Sequence, residues 1–130
     1  MGISYRIDKD RGLLVLTGIG VLTDREIESY LLLVKDDPDL RSVRLELADF
    51  REAEFSVSPQ SIVKLAHIVS GNLPSLLDVK RAVVVSNELQ YGLARMYGQY
   101  VGLSGHEIMP FRDIAEAKEW LGLDSGGEAA

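Results

Sequence analysis

The stretch KRAVVVSNELQYGLARMYGQYVG, Lys80 to Gly102, decides how the remaining sequence is read. Val83, Val84 and Val85 form an unbroken β-branched run, the pattern of a strand covered on both faces. Ser86 or Asn87 can cap the helix that follows. At about 100° per residue, Leu89, Leu93, Met96, Tyr97 and Tyr100 share one face of that helix, its expected core face. Tyr91, Ala94, Arg95, Gly98 and Gly102 fall roughly opposite. Each interior glycine costs a helix roughly 1 kcal/mol against alanine, so Gly92, Gly98 and Gly102 need reasons. Gly92 flanks the expected core face, where close approach to a sheet is predicted, and Gly102 reads as a C-terminal cap. Gly98 has neither role. With Tyr91, Arg95 and Gly102 it makes a small, flat outer face, which is the candidate interaction surface. Tyr91 and Arg95, four apart, are spaced to stack. An alternative reading breaks the helix near Gly98.

Strand-then-helix recurs on both sides of this stretch. Downstream, HEIMPF predicts a short strand with Pro110 marking an edge. Asp113 and Glu116 then open a last helix through Trp120 and Leu121, with Gly122 ending it. Upstream, Ser58-Pro59 supplies an N-cap and a proline at the first helical position. Ile62, Leu65, Ala66 and Val69 continue the apolar face, and Gly71 is the expected cap. Before that helix, VRLELAD alternates as a strand with Arg44 and Glu46 on a wet face, and FREAEF is expected to be a loop. Earlier still, Thr23 and Glu26 form a capping box, with Leu22 and Ile27 placed as its staple. Ile27, Tyr30, Leu31 and Val34 make that helix amphipathic, and Pro38 stops it. ISYRID and LLVLTG, joined by KDRG, predict an antiparallel hairpin, with GIG after it as a turn.

The order is thus strand, strand, helix, strand, helix, strand, helix, strand, helix. It predicts one α/β domain over residues 1–123, with a mixed, mostly parallel five-stranded sheet and four helices. The tail 124–130, DSGGEAA, is expected to be disordered. A chain of 130 residues suffices for one domain with a real core.

Composition excludes several classes. Net charge is −6, with Lys80-Arg81 the only tight basic pair, against nucleic-acid binding. That pair precedes an apolar run and reads as a strand flank. No apolar run reaches the length of a membrane span, and the polar N-terminus does not read as a signal peptide. The absence of cysteine rules out disulfides and thiol chemistry and fits a reducing cytoplasm, the expected location.

Four stretches, GLLVLTGIGVLTDREI, LELADFREAEFSVSP, KRAVVVSNELQYGLARMY and FRDIAEAKEWLG, carry a family likeness. Together with the element order they resemble the STAS domain, also called the SpoIIAA-like fold, and most closely a bacterial group of uncharacterised STAS-like proteins. The resemblance implies the fold and a non-enzymatic regulatory or protein-interaction role. The partner expected at the outer face of the glycine-containing helix is another protein or a second copy in a homodimer. Some relatives of that group carry labels suggesting lipid exchange, which makes a small-ligand or lipid-type carrier the alternative. Phosphorylation-switched STAS domains place Asp-Ser-Ser or Asp-Ser-Thr where the third strand meets the next helix. Here Asp49 is followed by FREAEFSVSP, so Ser56 and Ser58 are the nearest hydroxyls. Ser58 reads as an N-cap, and Glu52 and Glu54 would repel a phosphate.

Ligands of open α/β sheets gather outside the carboxyl ends of the strands. Those ends supply Thr23, Asp49, Arg51, Ser86 and Asn87 as candidate ligand-binding residues. Exposed N–H groups after Ser86 could hold an anion, although Ser86 or Asn87 serves equally as a cap. GIG lacks the spacing of a phosphate loop. His67 and His106 are the only histidines. His67 falls off its helix's apolar face, and only Glu107, beside His106, offers a carboxylate at a familiar spacing, so no metal or other cofactor is expected. No nucleophile elbow is present, and no residue set compels a catalytic reading.

Overall fold

Alternating and continuous apolar runs become strands according to what covers them, and the computed structural model, which describes residues 2–123, shows both cases. β1 (Ile3–Asp8) and β2 (Leu13–Thr23) form the hairpin, with Tyr5 opposite Leu16. α1 (Asp24–Val34), α2 (Pro59–Asn72) and α3 (Glu88–Gly102) connect β2 to β3 (Leu45–Ser56), β3 to β4 (Lys80–Val84) and β4 to β5 (Glu107–Phe111). α4 (Ile114–Leu121) ends the described chain. The sheet runs β1-β2-β3-β4-β5, antiparallel only in its first pair. The fold class and element order are those expected from the sequence.

Strand order that follows chain order sends successive right-handed crossovers to the same face of the sheet. α1, α2 and α3 accordingly share one core with Leu14, Leu16, Ala48 and Val83. α4 packs on the other face, where Ala117 and Leu121 meet Leu13, Val15, Leu47, Ala82 and Val84. That double cover is why Val83 to Val85 show no polar alternation.

The predicted caps form. Thr23 Oγ1 accepts from Glu26 N–H while Glu26 accepts from Thr23 N–H. Ser58 Oγ accepts from Ser61 N–H, and Asp113 accepts from Ala115 N–H. Gly122, at φ 79°, closes α4. Such side-chain caps are each worth about 1 kcal/mol.

Three boundaries differ from expectation. FREAEF is not a loop: β3 continues through it to Ser56, paired with Ile19–Thr23 of a lengthened β2. GIG is therefore inside a strand rather than a turn. Between Thr17 and Ile19 the register shifts, so that Gly18 faces both Phe50 and Arg51. This bulge breaks the period-two pattern and leaves Phe50, Ala53 and Phe55 unevenly spaced on the inner side, which hides the strand from a periodicity reading. Gly71 lies within α2, and Leu73 is the capping residue. The tail 124–130 lies outside the described residues.

Candidate functional site

Lys80 and Arg81 are adjacent on β4 and point to opposite faces of the sheet, and their fates differ. Lys80 Nζ donates to the Trp120 carbonyl at 2.6 Å and sits 4.4 Å from that ring's centre, beside α4. Arg81 points into the three-helix face. Its register partner on β3 is Glu46, and Arg81 Nε donates to Glu46 Oε1 at 3.1 Å. Both side chains are 5% exposed. The expected wet face of β3 is therefore wrong at Glu46, because α1–α3 cover it.

Two tyrosines complete the polar cluster. Burial pushes the Tyr30 hydroxyl well above the usual tyrosine range, helped by the Glu46 charge. Burial likewise raises Tyr97 against the opposing pull of Arg81. Burial works against the Arg81 cation, but Glu46, then Tyr97 and Tyr30, hold its pKa above the usual value. His106, buried just before β5, is pushed down by burial and by Arg81. Two buried polar atoms, Arg81 Nη1 and His106 Nδ1, have no hydrogen-bond partner among the described residues.

Glu46 and Arg81 form one wall of a pocket of about 90 Å³ between the sheet and the three helices. Tyr30 and Tyr97 also line it, and the remaining lining is apolar. Leu16, Ala48, Phe50 and Val83 come from the strands, Ile27 and Leu31 from α1, Ile62 and Leu65 from α2, and Leu93 and Ala94 from α3. The arrangement is a hydrocarbon-lined recess with a paired charge in its wall.

The strand-end candidates are not in this pocket. Thr23 and Asn87 are helix caps, with Asn87 Oδ1 accepting from Gln90 N–H at 3.0 Å. Asp49 and Arg51 form a two-pronged ion pair at 2.8 and 2.9 Å, and the Arg51 hydrogen bond holds the Asp49 carboxyl below the usual range. Ser86 is exposed. The sequential strand order explains the dispersal: a sheet whose order never reverses has no switch-point crevice to gather such residues. Ser56, the last residue of β3, is exposed, and Ser58 is the α2 cap.

The structure corrects the phase of α3. The residues it buries are Gln90, Ala94 and Val101, while Leu89 and Tyr100 of the expected core face are 68% and 40% exposed. Gln90 sets this rotation: its side-chain oxygen accepts from Phe55 N–H at 2.8 Å, on the β3 extension that the sequence reading missed. Gly92 and Gly98 exchange roles. A Cβ on Gly92 meets nothing within 4 Å, whereas one on Gly98 would lie 3.1 Å from the Ile108 carbonyl oxygen, so Gly98 is where α3 approaches the sheet. Tyr91 is half-buried and stacks with Arg112, 4.3 Å from its ring centre, rather than with Arg95. Of the candidate interaction residues, Arg95 and Gly102 remain exposed, and Gly98 belongs to the inner side.

Glu46 and Arg81 are the buried pair that the sequence reading missed. A usable signal existed: β3 neighbours a strand whose valine run implies double cover, so a glutamate on it required a buried cation.

A hairpin followed by strand–helix units, with three helices on one face and one on the other, defines a SpoIIAA-like, STAS-like α/β fold. Two of the solved structures similar to this chain illustrate it. One is an uncharacterized protein from the DUF3478 family with a SpoIIAA-like fold, from Shewanella loihica PV-4. It is 21% identical, with a TM-score of 0.61 over 92% of this chain and 93% of that one. The other is the anti-sigma factor antagonist SpoIIAA in its unphosphorylated form, 13% identical, with a TM-score of 0.52 over 91% and 96% of the two chains. No family model and no curated protein matches the sequence. Among the described residues no helix is long and apolar enough to cross a membrane, and no group of three or more acidic, histidine or cysteine residues is placed to hold a metal.

Proposed function

We propose that this chain is a non-catalytic binding module whose three-helix face takes up a small, largely apolar molecule. The observation that carries this is an apolar pocket between the sheet and α1–α3 whose wall holds the buried Glu46–Arg81 pair. This is the carrier reading of the sequence, moved from the strand ends to the space beneath the helices. Xenon dissolved in a solution of the protein should shift backbone amides around Phe55, Leu65 and Ala94, and the pocket-filling variant Ala94→Phe should abolish those shifts. Scattered shifts, or none in the parent protein, would sink the reading.

A STAS-type regulatory module acting through a protein partner is the second reading, favoured by a different surface. Ile19 and Val21 are 58% and 60% exposed on β2, and their register neighbours on β3 are the exposed Glu52 and Glu54. This apolar strip with an acidic border suits an extended segment in which basic and apolar residues alternate. A peptide alternating Lys and Val should bind, and lose affinity to the Glu52→Lys/Glu54→Lys variant. Equal binding to both proteins contradicts this reading. A second copy of the chain is the other partner considered, and sedimentation at rising concentration tests it.

A further inference from the structure

Two strands outrun the rest of the sheet. Among the described residues β1 pairs with β2 as far as Gly18, and β4 pairs with β3 as far as Asp49. Residues 19–23 and 52–56 then pair with each other as a two-stranded ribbon beyond the bulge. Its outer side chains, Ile19, Val21, Glu52 and Glu54, are exposed, while Phe55 lines the pocket. β2 ends on Thr23, the α1 cap, and β3 reaches Ser58, the α2 cap, after one more residue. Ser61 Oγ donates to Asp24 Oδ2 at 3.0 Å and Lys64 pairs with Glu28 at 3.3 Å, so the ribbon and the first turns of α1 and α2 are bound into one unit. The apolar lining is half-buried at two seams. Ile3 and Ile27 lie where β1 meets α1, and Phe55, Val57 and Leu93 where the ribbon meets α3. The first seam is held by a strand paired to β2 along all 6 of its residues. The second is tied by Gln90, 1% exposed, whose side-chain oxygen accepts from Phe55 N–H at 2.8 Å.

Resting on the pocket reading above, we propose that the ribbon is a flap over the pocket and that Gln90 is its latch: the pocket fills when the Gln90–Phe55 hydrogen bond breaks and the flap swings away from α3. The bulge is the root of the flap, because a register shift interrupts the ladder and concentrates bending there. Gly20, at φ 81°, adds a second pliant position just past it. One neutral hydrogen bond contributes modestly to stability, so it holds the flap shut most of the time without sealing it. Opening at the β1 seam would instead unzip a whole strand. Gln90 thus sets how fast a molecule enters and leaves, rather than how tightly it is held.

Amide hydrogen exchange and xenon exchange, both followed by magnetic resonance on the intact protein, test this in the parent and in Gln90→Leu, which has no acceptor. The variant should speed exchange of the Leu22 and Glu54 amides by about three- to tenfold, the range of one hydrogen bond, and leave Leu16 and Leu47 unchanged. Xenon should enter and leave faster by the same factor, with its affinity unchanged, which a merely structural loss would not produce. Faster amide exchange spread evenly over the sheet would overturn the latch. Unchanged xenon rates in the variant would overturn it as well, and would leave the pocket reading standing. If the variant fails to fold, the parent decides: exchange at Leu22 and Glu54 should depend less steeply on urea than at Leu16 and Leu47, the mark of a local opening. The same dependence at all four would show that no flap opens. Xenon refused by the parent protein would sink the pocket reading itself, and the flap with it.

Discussion

On one face of the sheet, three helices of 11, 14 and 15 residues lie across the strands and leave a pocket around a buried ion pair. On the other, a single helix of 8 residues closes over Leu13, Val15, Leu47, Ala82 and Val84, with Lys80 and Trp120 sealing its rim. The second face does what a core ordinarily does: it buries apolar area and keeps its cation beside solvent. The first gives up stability in two ways. A pocket of about 90 Å³ forgoes the packing contacts that interdigitated side chains would make there. A buried ion pair is, at best, roughly equal in stability to apolar residues of the same volume. Local departures from optimal packing concentrate at functional sites, and here both fall at the same place.

The largest expected effect comes from breaking the ion pair. Arg81→Met leaves Glu46 buried without its counter-charge and should cost about 3–5 kcal/mol in urea unfolding. The double variant Glu46→Leu/Arg81→Met should return stability to the parent value or above it. A single-variant loss below about 1 kcal/mol would show that the two faces do not differ in this way.

A smaller effect concerns alkaline pH. Burial raises Tyr30 and Tyr97 above their unfolded values, so their contribution is complete below the ordinary tyrosine pKa and is lost as pH rises through the folded one. Tyr5, pushed up to about 12 by burial and by its 2.7 Å hydrogen bond to Asp37, acts in the same direction. The melting temperature should therefore fall as pH is raised above 10, and less steeply in Tyr97→Phe. The same slope in parent and variant would remove Tyr97 from the account.

The smallest effect separates the two sides of α3. Gly92→Ala should raise stability by about 1 kcal/mol, since it gains helix propensity in open space. Gly98→Ala should gain nothing or lose stability, because the new methyl presses on the Ile108 carbonyl. Equal gains at both positions would place Gly98 on the solvent side, as the sequence phase predicted.

The architecture was legible because its signals are local. Thr23, Ser58 and Asp113 announce three helix starts, and the valine run announces a doubly covered strand. The errors arose where distant groups decide. Gln90 turns α3 by bonding Phe55, a partner 35 positions away, and hydrophobic phasing gives such a polar anchor no weight. The bulge at Gly18 conceals half of β3 because it interrupts the alternation on which a strand reading depends. Glu46 and Arg81 are also 35 apart, and either alone looks like a solvated charge. The pocket needs residues from three helices and all five strands, so no single stretch of sequence displays it.

The strictly sequential strand order bears on how the chain assembles during synthesis. Each strand entering the sheet docks against one that left the ribosome before it, so the sheet can grow in one direction without waiting for later sequence. The second face follows a different schedule. Leu13, Val15, Leu47, Ala82 and Val84 have no cover until α4 emerges. Ribosome-stalled chains ending before Ile114 should therefore engage chaperones that longer ones escape. Equal engagement would place the closure of that face elsewhere. Of the four helices, α4 is the one that ends the exposure of that face.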